Sequence, residues 1–271
     1  MMNKLPFPSP PTLATALGLD FGSRYVKVVY DAGPGRLGRR RLDSLEFYRD
    51  YLSRDKDGLR VDWPKLGLPA PASLMVTGYG KDLLKSHFPT ITEMRANFLG
   101  ACHQTGLSHF ILLEMGGQDT KVLYIKDSRV FDFLTNDRCA AGTGRYLENM
   151  ARFLRLPLHR FAAAWEEPVE ISQTCAIFGE TELIGHLLAG TPLERLAAGV
   201  NASVARRALA LTRRYPCQQL VFVGGVAKNY AVRHFLRTWG NYQVATPPYP
   251  QFTGALGCYL EARKKGICQG S

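Results

Sequence analysis

Two stretches of the chain share one pattern, in which an apolar run ends in a glycine-containing polar turn and a second apolar run follows. The first stretch covers residues 13–31, with the turn DFGS at residues 20–23. The second covers residues 109–125, with the turn MGGQD at residues 115–119. Short apolar runs bounded by such turns are typical of strands. The repetition therefore predicts two similar strand–turn–strand units within one chain.

Elsewhere the pattern predicts alternating strands and helices. Strands are predicted at residues 37–42, 73–77, 130–134 and 220–223, and helices at residues 44–53, 92–104 and 193–215 and from Asn229 to about residue 239. The helix at residues 193–215 is expected to be amphipathic and basic, whereas residues 55–68, with Pro64 as a breaker, are expected to form a loop. Small residues at 253–257 open a closing helix that can pack tightly. This order of elements indicates an α/β fold.

The internal duplication predicts two lobes with a cleft between them, a common place for a ligand. We expect a flexible leader at residues 1–14 and a first lobe at residues 15–104, which the closing helix at residues 252–266 joins. The second lobe is expected at residues 105–251.

The composition is that of a soluble globular protein. The chain has 271 residues, of which 46% are hydrophobic and 21% are charged. No apolar run approaches the roughly 20 residues that span a bilayer, and the proline-containing start lacks the apolar core of a signal peptide. We therefore expect a cytoplasmic protein without a membrane partner. Its six cysteines should be reduced or metal-bound rather than bridged.

The net charge of +11 would suit an acidic protein partner, nucleotide phosphates or nucleic acid. The basic residues are scattered, apart from a run between Arg36 and Arg41 in a predicted hairpin. No zinc finger, RNP motif or helix-turn-helix signature accompanies this run, so nucleic-acid binding is not expected. A solvated turn is the favoured interpretation, and a docking surface for an acidic partner is the alternative.

Two cysteines, Cys139 and Cys175, each precede a helical pattern that contains small residues. A helix N-terminus offers free N–H groups and a partial positive charge, which suits a thiolate or a cluster held by thiolates. The two cysteines do not form a CxxC pair, and two thiolates are half of the four that a cubane cluster takes. One hypothesis is that two copies of the chain share one cluster on a two-fold axis. The alternative is two buried cysteines that pack as small apolar residues.

The glycine turns carry residues suited to phosphate and magnesium. Asp20 can hold Mg²⁺, and the N–H groups of the first turn together with Ser23 can bind phosphate. Gly224 and Gly225, after the strand predicted at residues 220–223, would let an adenine or ribose lie against the backbone. The alternative is a strand-to-helix turn that needs glycine for its conformation.

Six motifs in a fixed order carry a resemblance to a known family. They are GLDFGSRYVK, EMGGQDTK, NDRCAAGTGRYLE, QTCAIFGETE, VFVGGVAKN and GALG, and they extend from about Gly18 to Leu260. Together they resemble the ATPase activators of 2-hydroxyacyl-CoA dehydratases, the ATPase subunits of benzoyl-CoA reductase and the reductases of double-cubane cluster proteins. The CAAGTG segment with the second cysteine is highly specific, whereas the glycine turns are shared with the wider superfamily of actin and sugar kinases.

The resemblance implies a two-lobed actin-like ATPase that binds ATP or ADP and Mg²⁺ between its lobes. It implies a homodimer that bridges one 4Fe–4S cluster, with Cys139 and Cys175 as the ligands. Ferredoxin or flavodoxin would supply an electron, and ATP hydrolysis would drive its transfer to an iron–sulfur partner. Three acceptors stay open: a 2-hydroxyacyl-CoA dehydratase, a benzoyl-CoA reductase and a double-cubane cluster protein.

Roles follow for individual residues. Gln118 is expected to orient the hydrolytic water, with Asp119 as the second catalytic residue. Asp20 is expected to serve Mg²⁺, and Lys27 the phosphates. The other residues expected to bind the nucleotide and its phosphates are Gly22, Ser23, Arg24, Gly116, Gly117, Gly142, Thr143, Gly144, Gly224, Gly225, Val226, Ala227 and Asn229.

The chain departs from the family's pattern in a few places. Arg24 and the two residues after it replace a run of small hydroxyl residues, Glu114 stands where aspartate is common, and residues 97–99 also differ. Two other functions remain as alternatives. A sugar-kinase-type phosphotransferase would use Asp119 as its base, and an actin-like conformational switch would not depend on Cys139. The cysteine pair argues against both.

Overall fold

The computed structural model describes residues 16–56, 58–79, 88–136, 143–171 and 176–268. The chain forms two compact units. The described residues up to Gly100, together with those from Gly254 onward, make unit 1, and Ala101–Thr253 make unit 2. The leader predicted at residues 1–14 lies outside the described residues, as do Cys139, Gly142 and Cys175.

Unit 1 is built around a four-stranded sheet. Its elements are β1 (Ala16–Phe21), β2 (Tyr25–Asp31), β3 (Leu37–Asp43), α1 (Ser44–Asp50), β4 (Leu52–Asp55), β5 (Gly58–Val61), β6 (Ser73–Gly78) and most of α2 (Glu93–Thr105). The sheet order is β3-β2-β1-β6, with β1 antiparallel to β2 and parallel to β6. Leu19, Phe21, Val28 and Phe47 are among the fully buried side chains of its core.

Two predictions in unit 1 are wrong. The helix predicted at residues 44–53 ends at Asp50, and the loop predicted at residues 55–68 contains a strand. The reason is a short antiparallel hairpin in which Leu52 pairs with Val61. Such pairing depends on residues that come later in the chain, so the local helical pattern could not reveal it.

Helix starts follow side chains that satisfy free backbone N–H groups. Asp43 accepts hydrogen bonds from the N–H groups of Leu45 and Glu46 at the start of α1. At α2 the N–H of Arg95 donates to Oγ1 of Thr92, the first residue of the helix predicted at residues 92–104.

Unit 2 contains a five-stranded sheet and most of the helices. Its elements are β7 (Phe110–Met115), β8 (Thr120–Lys126), β9 (Arg129–Asn136), α3 (Gly144–Phe153), α4 (Leu158–Ala163), α5 (Ala176–Leu188), α6 (Leu193–Thr212), β10 (Gln219–Val223), α7 (Tyr230–Gly240) and β11 (Gln243–Ala245). Helical turns of 3-10 type lie at Val226–Lys228 and Pro250–Phe252. The last helix, α8 (Thr253–Cys268), begins where unit 2 ends.

The two sheets repeat one topology. In unit 2 the order is β11-β10-β7-β8-β9, with β7 antiparallel to β8 and parallel to β10. The strands β7, β8, β9 and β10 therefore correspond to β1, β2, β3 and β6 of unit 1. This correspondence confirms the internal duplication of strand, glycine turn and strand that the sequence pattern predicts.

Helix α6 is the central helix of the unit 2 core. The sequence predicts an amphipathic and basic helix here, but all residues from Leu196 to Ala205 are buried. The arginines of the predicted range lie on either side of this buried stretch, at Arg195, Arg206, Arg207, Arg213 and Arg214. Small residues such as Gly199 permit this burial. A Cβ added at Gly199 would lie 2.6 Å from the carbonyl oxygen of Val169. The amphipathic prediction is therefore wrong for the middle of the helix, which packs on all sides.

Close packing of glycines joins α8 to the rest of unit 1. A Cβ added at Gly257 would lie 1.8 Å from the carbonyl oxygen of Ala96 on α2, and one added at Gly18 would lie 2.1 Å from that of Ala255. Side-chain contacts support the same packing, because Tyr259 Oη donates a hydrogen bond of 2.5 Å to Asp31. The tight packing predicted for the closing helix is thus present.

Among the described helices, none has the combination of length and apolar character that a membrane-spanning helix requires.

Substitution of Gly257 by alanine tests the packing of α8. Alanine favours a helix over glycine by about 1 kcal/mol, but the new methyl group would collide with the Ala96 carbonyl. We expect a net loss of about 1–3 kcal/mol or more in the free energy of unfolding, as for other overpacked positions. Urea unfolding followed by circular dichroism measures the change.

Gly185→Ala on α5 is the matched control, since among the described residues no atom beyond its chain neighbours and its own helix backbone lies within 4 Å of the position where its Cβ would be. This variant should be as stable as the wild type or more stable. An unchanged unfolding midpoint for Gly257→Ala would contradict the close approach of α8 and α2.

Candidate functional site

The first glycine turn places an acid and a lysine directly opposite each other. Asp20 on β1 pairs with Lys27 on β2, and Lys27 Nζ lies 2.9 Å from Asp20 Oδ2. Both side chains are largely buried, at 16% and 18% exposure. A Cβ added at Gly22 would lie 2.5 Å from Lys27 Nζ. Glycine at this position therefore leaves room for the lysine to reach the acid.

The start of α1 holds the backbone of this first turn. Ser44 Oγ donates a hydrogen bond of 2.7 Å to the carbonyl of Gly22, and the Ser44 N–H donates to the carbonyl of Arg24. The Arg24 side chain points to Asp43, with 2.6 Å between Nη1 and Oδ2. Its predicted role in cofactor binding stays a prediction, and in this structure the guanidinium supports the residue that caps α1.

The second glycine turn repeats the acid–lysine arrangement and adds a second acid. Glu114 on β7 pairs with Lys121 on β8, and Lys121 Nζ lies 3.6 Å from Glu114 Oε2. The same ammonium donates to Asp119 Oδ2. A Cβ added at Gly116 would lie 3.1 Å from a carboxylate oxygen of each acid. The exposed Gln118 thus sits in a turn whose two flanking carboxylates share one buried lysine.

Lys121 and Glu114 are residues that the motif analysis did not assign to the site. The signal that could have found them is a repeated spacing: a glycine follows the acid by two residues and a lysine follows it by seven, at both Asp20 and Glu114. Cross-strand register explains this spacing, because it places the lysine opposite the acid on the neighbouring strand.

A further pair of equivalent glycines ends the parallel strands. Gly78, the last residue of β6, has φ +108°, and Gly224, directly after β10, has φ +89°. Added Cβ atoms would lie 2.4 Å from the carbonyl oxygen of Phe21 and 2.3 Å from that of Met115. The first glycine of the diglycine is therefore required by backbone conformation and strand packing. At Gly225 no neighbouring atom of the described residues lies within 4 Å of where a Cβ would be, so it is the glycine whose backbone a ligand could approach.

The residues after the diglycine have structural roles. Val226 and Ala227 are buried in the core. Asn229 is 5% exposed, and its Oδ1 accepts the N–H of Val232 at the start of α7. Its amide group also donates a 2.8 Å hydrogen bond to Asn201 Oδ1 in the middle of α6. Adenosine contacts by these residues stay a prediction.

The second turn is hydrogen-bonded to the start of α3, the helix that follows Cys139 in the chain. The N–H of Gly144 donates to the carbonyl of Gly116 at 2.9 Å, and that of Arg145 donates to the carbonyl of Gly117 at 3.1 Å. Thr143, immediately before the helix, is fully buried. The turn and the first residues of α3 therefore form one hydrogen-bonded structure.

Tyr146 extends this structure to α5, the helix that follows Cys175. A Cβ added at Gly179 on α5 would lie 3.4 Å from the Tyr146 hydroxyl. Burial raises the pKa of Tyr146, and the nearby positive charge of Arg207 on α6 lowers it in part. The tyrosine stays neutral near pH 7 and packs where α3, α5 and α6 meet.

The thiols of Cys139 and Cys175 lie outside the described residues, and so does Gly142. Among the cysteines that the structure describes, Cys102, Cys217 and Cys258 are free thiols. Burial raises the pKa of Cys258, with Asp20 and Glu261 adding to the effect. Within the described ranges, no group of three or more histidine, cysteine or acidic side chains could hold a metal ion.

Comparison with known proteins places this arrangement in a family. The sequence profile of the BadF/BadG/BcrA/BcrD ATPase family matches residues 69–262. The chain belongs to this family. Its relatives include a 2-hydroxyisocaproyl-CoA dehydratase activator from Clostridioides difficile, 36% identical over 199 residues that cover 70% of the chain and 73% of the relative. The (R)-2-hydroxyglutaryl-CoA dehydratase activating ATPase of Acidaminococcus fermentans is 37% identical over 203 residues, which cover 72% and 76% of the two chains.

Solved structures agree with the family assignment and show the fold. The activator of the 2-hydroxyisocaproyl-CoA dehydratase from Clostridium difficile, with bound ADPNP, superposes with a TM-score of 0.81 and 30% identity. The match covers 94% of this chain and 97% of that one. The ethanolamine utilization protein EutJ from Carboxydothermus hydrogenoformans, at 15% identity and a TM-score of 0.54, shares the fold alone. The chain therefore has the actin-like ATPase fold that the motifs imply.

Asn229→Ala tests whether Asn229 is structural. The change removes the acceptor that caps α7 and leaves Asn201 Oδ1 without the donor from Asn229. Loss of a cap costs about 1 kcal/mol and an unsatisfied buried polar group about 1–3 kcal/mol. We expect the free energy of unfolding, measured by urea denaturation, to fall by roughly 2–4 kcal/mol on the sum of these two effects.

Asn149→Ala on the exposed face of α3 serves as the control and should change the stability little. If Asn229→Ala instead kept the wild-type stability and lost only nucleotide affinity, the binding role would be correct and the structural one wrong.

Proposed function

We propose that this chain is an ATP-hydrolysing electron donor that activates an iron–sulfur partner enzyme. The observation that carries the proposal is the pair of hydrogen bonds from Gly144 and Arg145 to the carbonyls of the Gly116-Gly117 turn. They join a phosphate-type turn to the helix that follows Cys139. A change at the turn therefore acts directly on the first residues of that helix.

The two acid–lysine turns are the proposed binding elements for Mg²⁺ and the phosphates of ATP. A carboxylate suits Mg²⁺, and an ammonium suits a phosphate oxygen. Asp20 and Lys27 supply one group of each kind, so the residues present fit the nucleotide. Membership of an ATPase family and a relative that holds ADPNP support this assignment. Gln118 is exposed in the second turn, where it can orient the water that attacks the terminal phosphate.

Two thiolates per chain support the proposed dimer. A cubane cluster takes four thiolates, and Cys139 and Cys175 supply two, so two copies of the chain complete the set. When bound, such a 4Fe–4S cluster would supply a one-electron redox centre. In the chain, Cys175 directly precedes α5 and Cys139 precedes the first residue of α3 by five positions. The partial positive charge of a helix N-terminus favours negative charge nearby.

The proposed acceptor is a 2-hydroxyacyl-CoA dehydratase. Relatives at 36% and 37% identity are named as activators of such dehydratases. A relative from Thauera aromatica that is named as a part of benzoyl-CoA reductase is 27% identical over only 36% of this chain, which makes that acceptor second. A double-cubane cluster protein is the third candidate. Ferredoxin or flavodoxin remains the proposed electron source.

The chain's own residues connect nucleotide and thiolates in three steps. Phosphate binding acts on the Gly116–Asp119 turn, whose carbonyls hold the start of α3. Helix α3 carries Tyr146, which packs against Gly179 of α5. A shift of α3 therefore changes the positions of both α3 and α5, the helices that follow the two cysteines. Such changes alter N–H donation and solvent access at a cluster, and both adjust its reduction potential.

The decisive experiment is an iron and sulfide determination on protein purified and reconstituted without oxygen, together with visible spectra and light scattering. We expect a dimer with about four irons per two chains, as a shared cubane requires. Cys139→Ala should lose the iron and the brown colour. Cys217→Ala removes a half-buried thiol whose Sγ lies 3.6 Å from the carbonyl oxygen of Gln219, and it should keep both.

Wild-type protein without iron after careful reconstitution would overturn the redox proposal. ATP-dependent phosphorylation of a small hydroxyl compound by that iron-free protein would then support the phosphotransferase alternative.

A further inference from the structure

Lys121 lies between two carboxylates at the second turn. Its Nζ is 3.6 Å from Glu114 Oε2 and donates to Asp119 Oδ2. Lys121 is 8% exposed, and its side chain lies between residues of the turn rather than in solvent. The corresponding Lys27 in unit 1 is paired with Asp20, 2.9 Å away.

The two carboxylates stand close together. One oxygen of Glu114 and one of Asp119 each lie 3.1 Å from the same point, the position of a Cβ added at Gly116. Like charges this near repel each other, and the repulsion is stronger in a partly buried site than in water. The ammonium of Lys121 offsets that repulsion. Without it, we expect the Asp119 side chain to turn toward solvent, since it is the more exposed of the two acids, at 32%.

Holding Asp119 also holds the turn. The N–H of Gly116 donates a 3.0 Å hydrogen bond to the carbonyl of Asp119, which closes the turn around Gln118. Lys121, on the strand β8 that directly follows Asp119, restrains the Asp119 side chain. The backbone and the side chain of Asp119 are therefore both restrained. Gln118 lies between Gly116 and Asp119, the two residues that the backbone hydrogen bond joins.

We propose that Lys121 is a positioning residue for ATP hydrolysis, which holds Asp119 and thereby sets Gln118 against the attacking water. Glu114 contributes by fixing the ammonium from the neighbouring strand. The inference rests on the proposed ATP hydrolysis at this turn. It assigns to Lys121 a role through Asp119, distinct from the direct phosphate contact proposed for Lys27.

The test is a double-mutant cycle on ATP hydrolysis by the full chain, with Lys121→Met, Asp119→Ala and the double variant. Lys121→Met should lower kcat about tenfold to a hundredfold, as misplacement of a catalytic group by about 1 Å does, while KM for ATP changes little. Because Lys121 acts through Asp119, the double variant should be no slower than Asp119→Ala alone. Lys121→Arg keeps the positive charge and should retain more of kcat than Lys121→Met.

Lys27→Met is the matched control on the equivalent strand of unit 1. It removes a lysine of similar burial that faces Asp20, and it should mainly raise KM. The inference would be overturned if the kcat of the double variant fell by the product of the two single-variant factors. An unchanged kcat for Lys121→Met would overturn it as well.

Hydrogen exchange without nucleotide separates this inference from the proposed function. In Lys121→Met the amides of residues 115–121 should exchange faster than in the wild type, because the turn has lost its side-chain restraint. Lys27→Met should leave exchange in that segment unchanged. Unchanged exchange in Lys121→Met would refute the positioning role even if the wild type hydrolysed no ATP. Suppose instead that the wild type hydrolyses no ATP but Lys121→Met still exchanges faster than the wild type. That result would support the restraint on the turn and reject only the hydrolytic function.

Discussion

The pairing of an acid with a lysine directly across two antiparallel strands is the constraint on which each glycine turn depends. Asp20 faces Lys27 in unit 1, and Glu114 faces Lys121 in unit 2. Each pair brings opposite charges out of water together, which avoids the large cost of burying one charge alone. The glycine that follows each acid is a consequence, since a side chain there would occupy the space that the lysine or the carboxylates fill.

Hydrogen bonds and close packing connect the turn of the second acid–lysine pair to the helices of unit 2. The turn accepts hydrogen bonds from the first residues of α3, Tyr146 joins α3 to α5, and Asn201 in α6 is bonded to Asn229 before α7. These contacts are short and largely buried, so they transmit displacement rather than absorb it. In the proposed function, this is the physical route from a bound phosphate to the segments that carry Cys139 and Cys175.

Family membership and structure contribute different parts of the argument. The family profile begins at residue 69, so it includes the second turn and the segments with both cysteines but not the turn at Asp20. The importance of the first turn comes from the duplication, because equivalent strands, glycines and acid–lysine pairs occur in both units. A solved activator with bound ADPNP covers nearly the whole chain and makes the nucleotide the natural ligand to test.

Local patterns in the sequence were enough to predict the features that neighbouring residues encode. Apolar runs located the strands of both hairpins, glycine turns located the candidate site, and Thr92 and Asn229 were placed at helix starts. The motif order indicated the family, because it combines the glycine turns with the specific CAAGTG segment. Each of these features depends on residues that are close in the chain, so the sequence reveals it without the fold.

Features that depend on distant partners emerged only in the folded chain. Leu52 looked like the end of a helix and became a strand, because Val61 pairs with it. Gly224 looked like a nucleotide contact, yet the carbonyl of Met115 on the adjacent strand already requires glycine there. Lys121 has no role in the sequence analysis, and only the register that places it opposite Glu114, together with its hydrogen bond to Asp119, makes it the centre of a charge cluster. The physical reason is common to all three: the energy of a buried contact belongs to a pair of residues, and the fold alone brings the two members together.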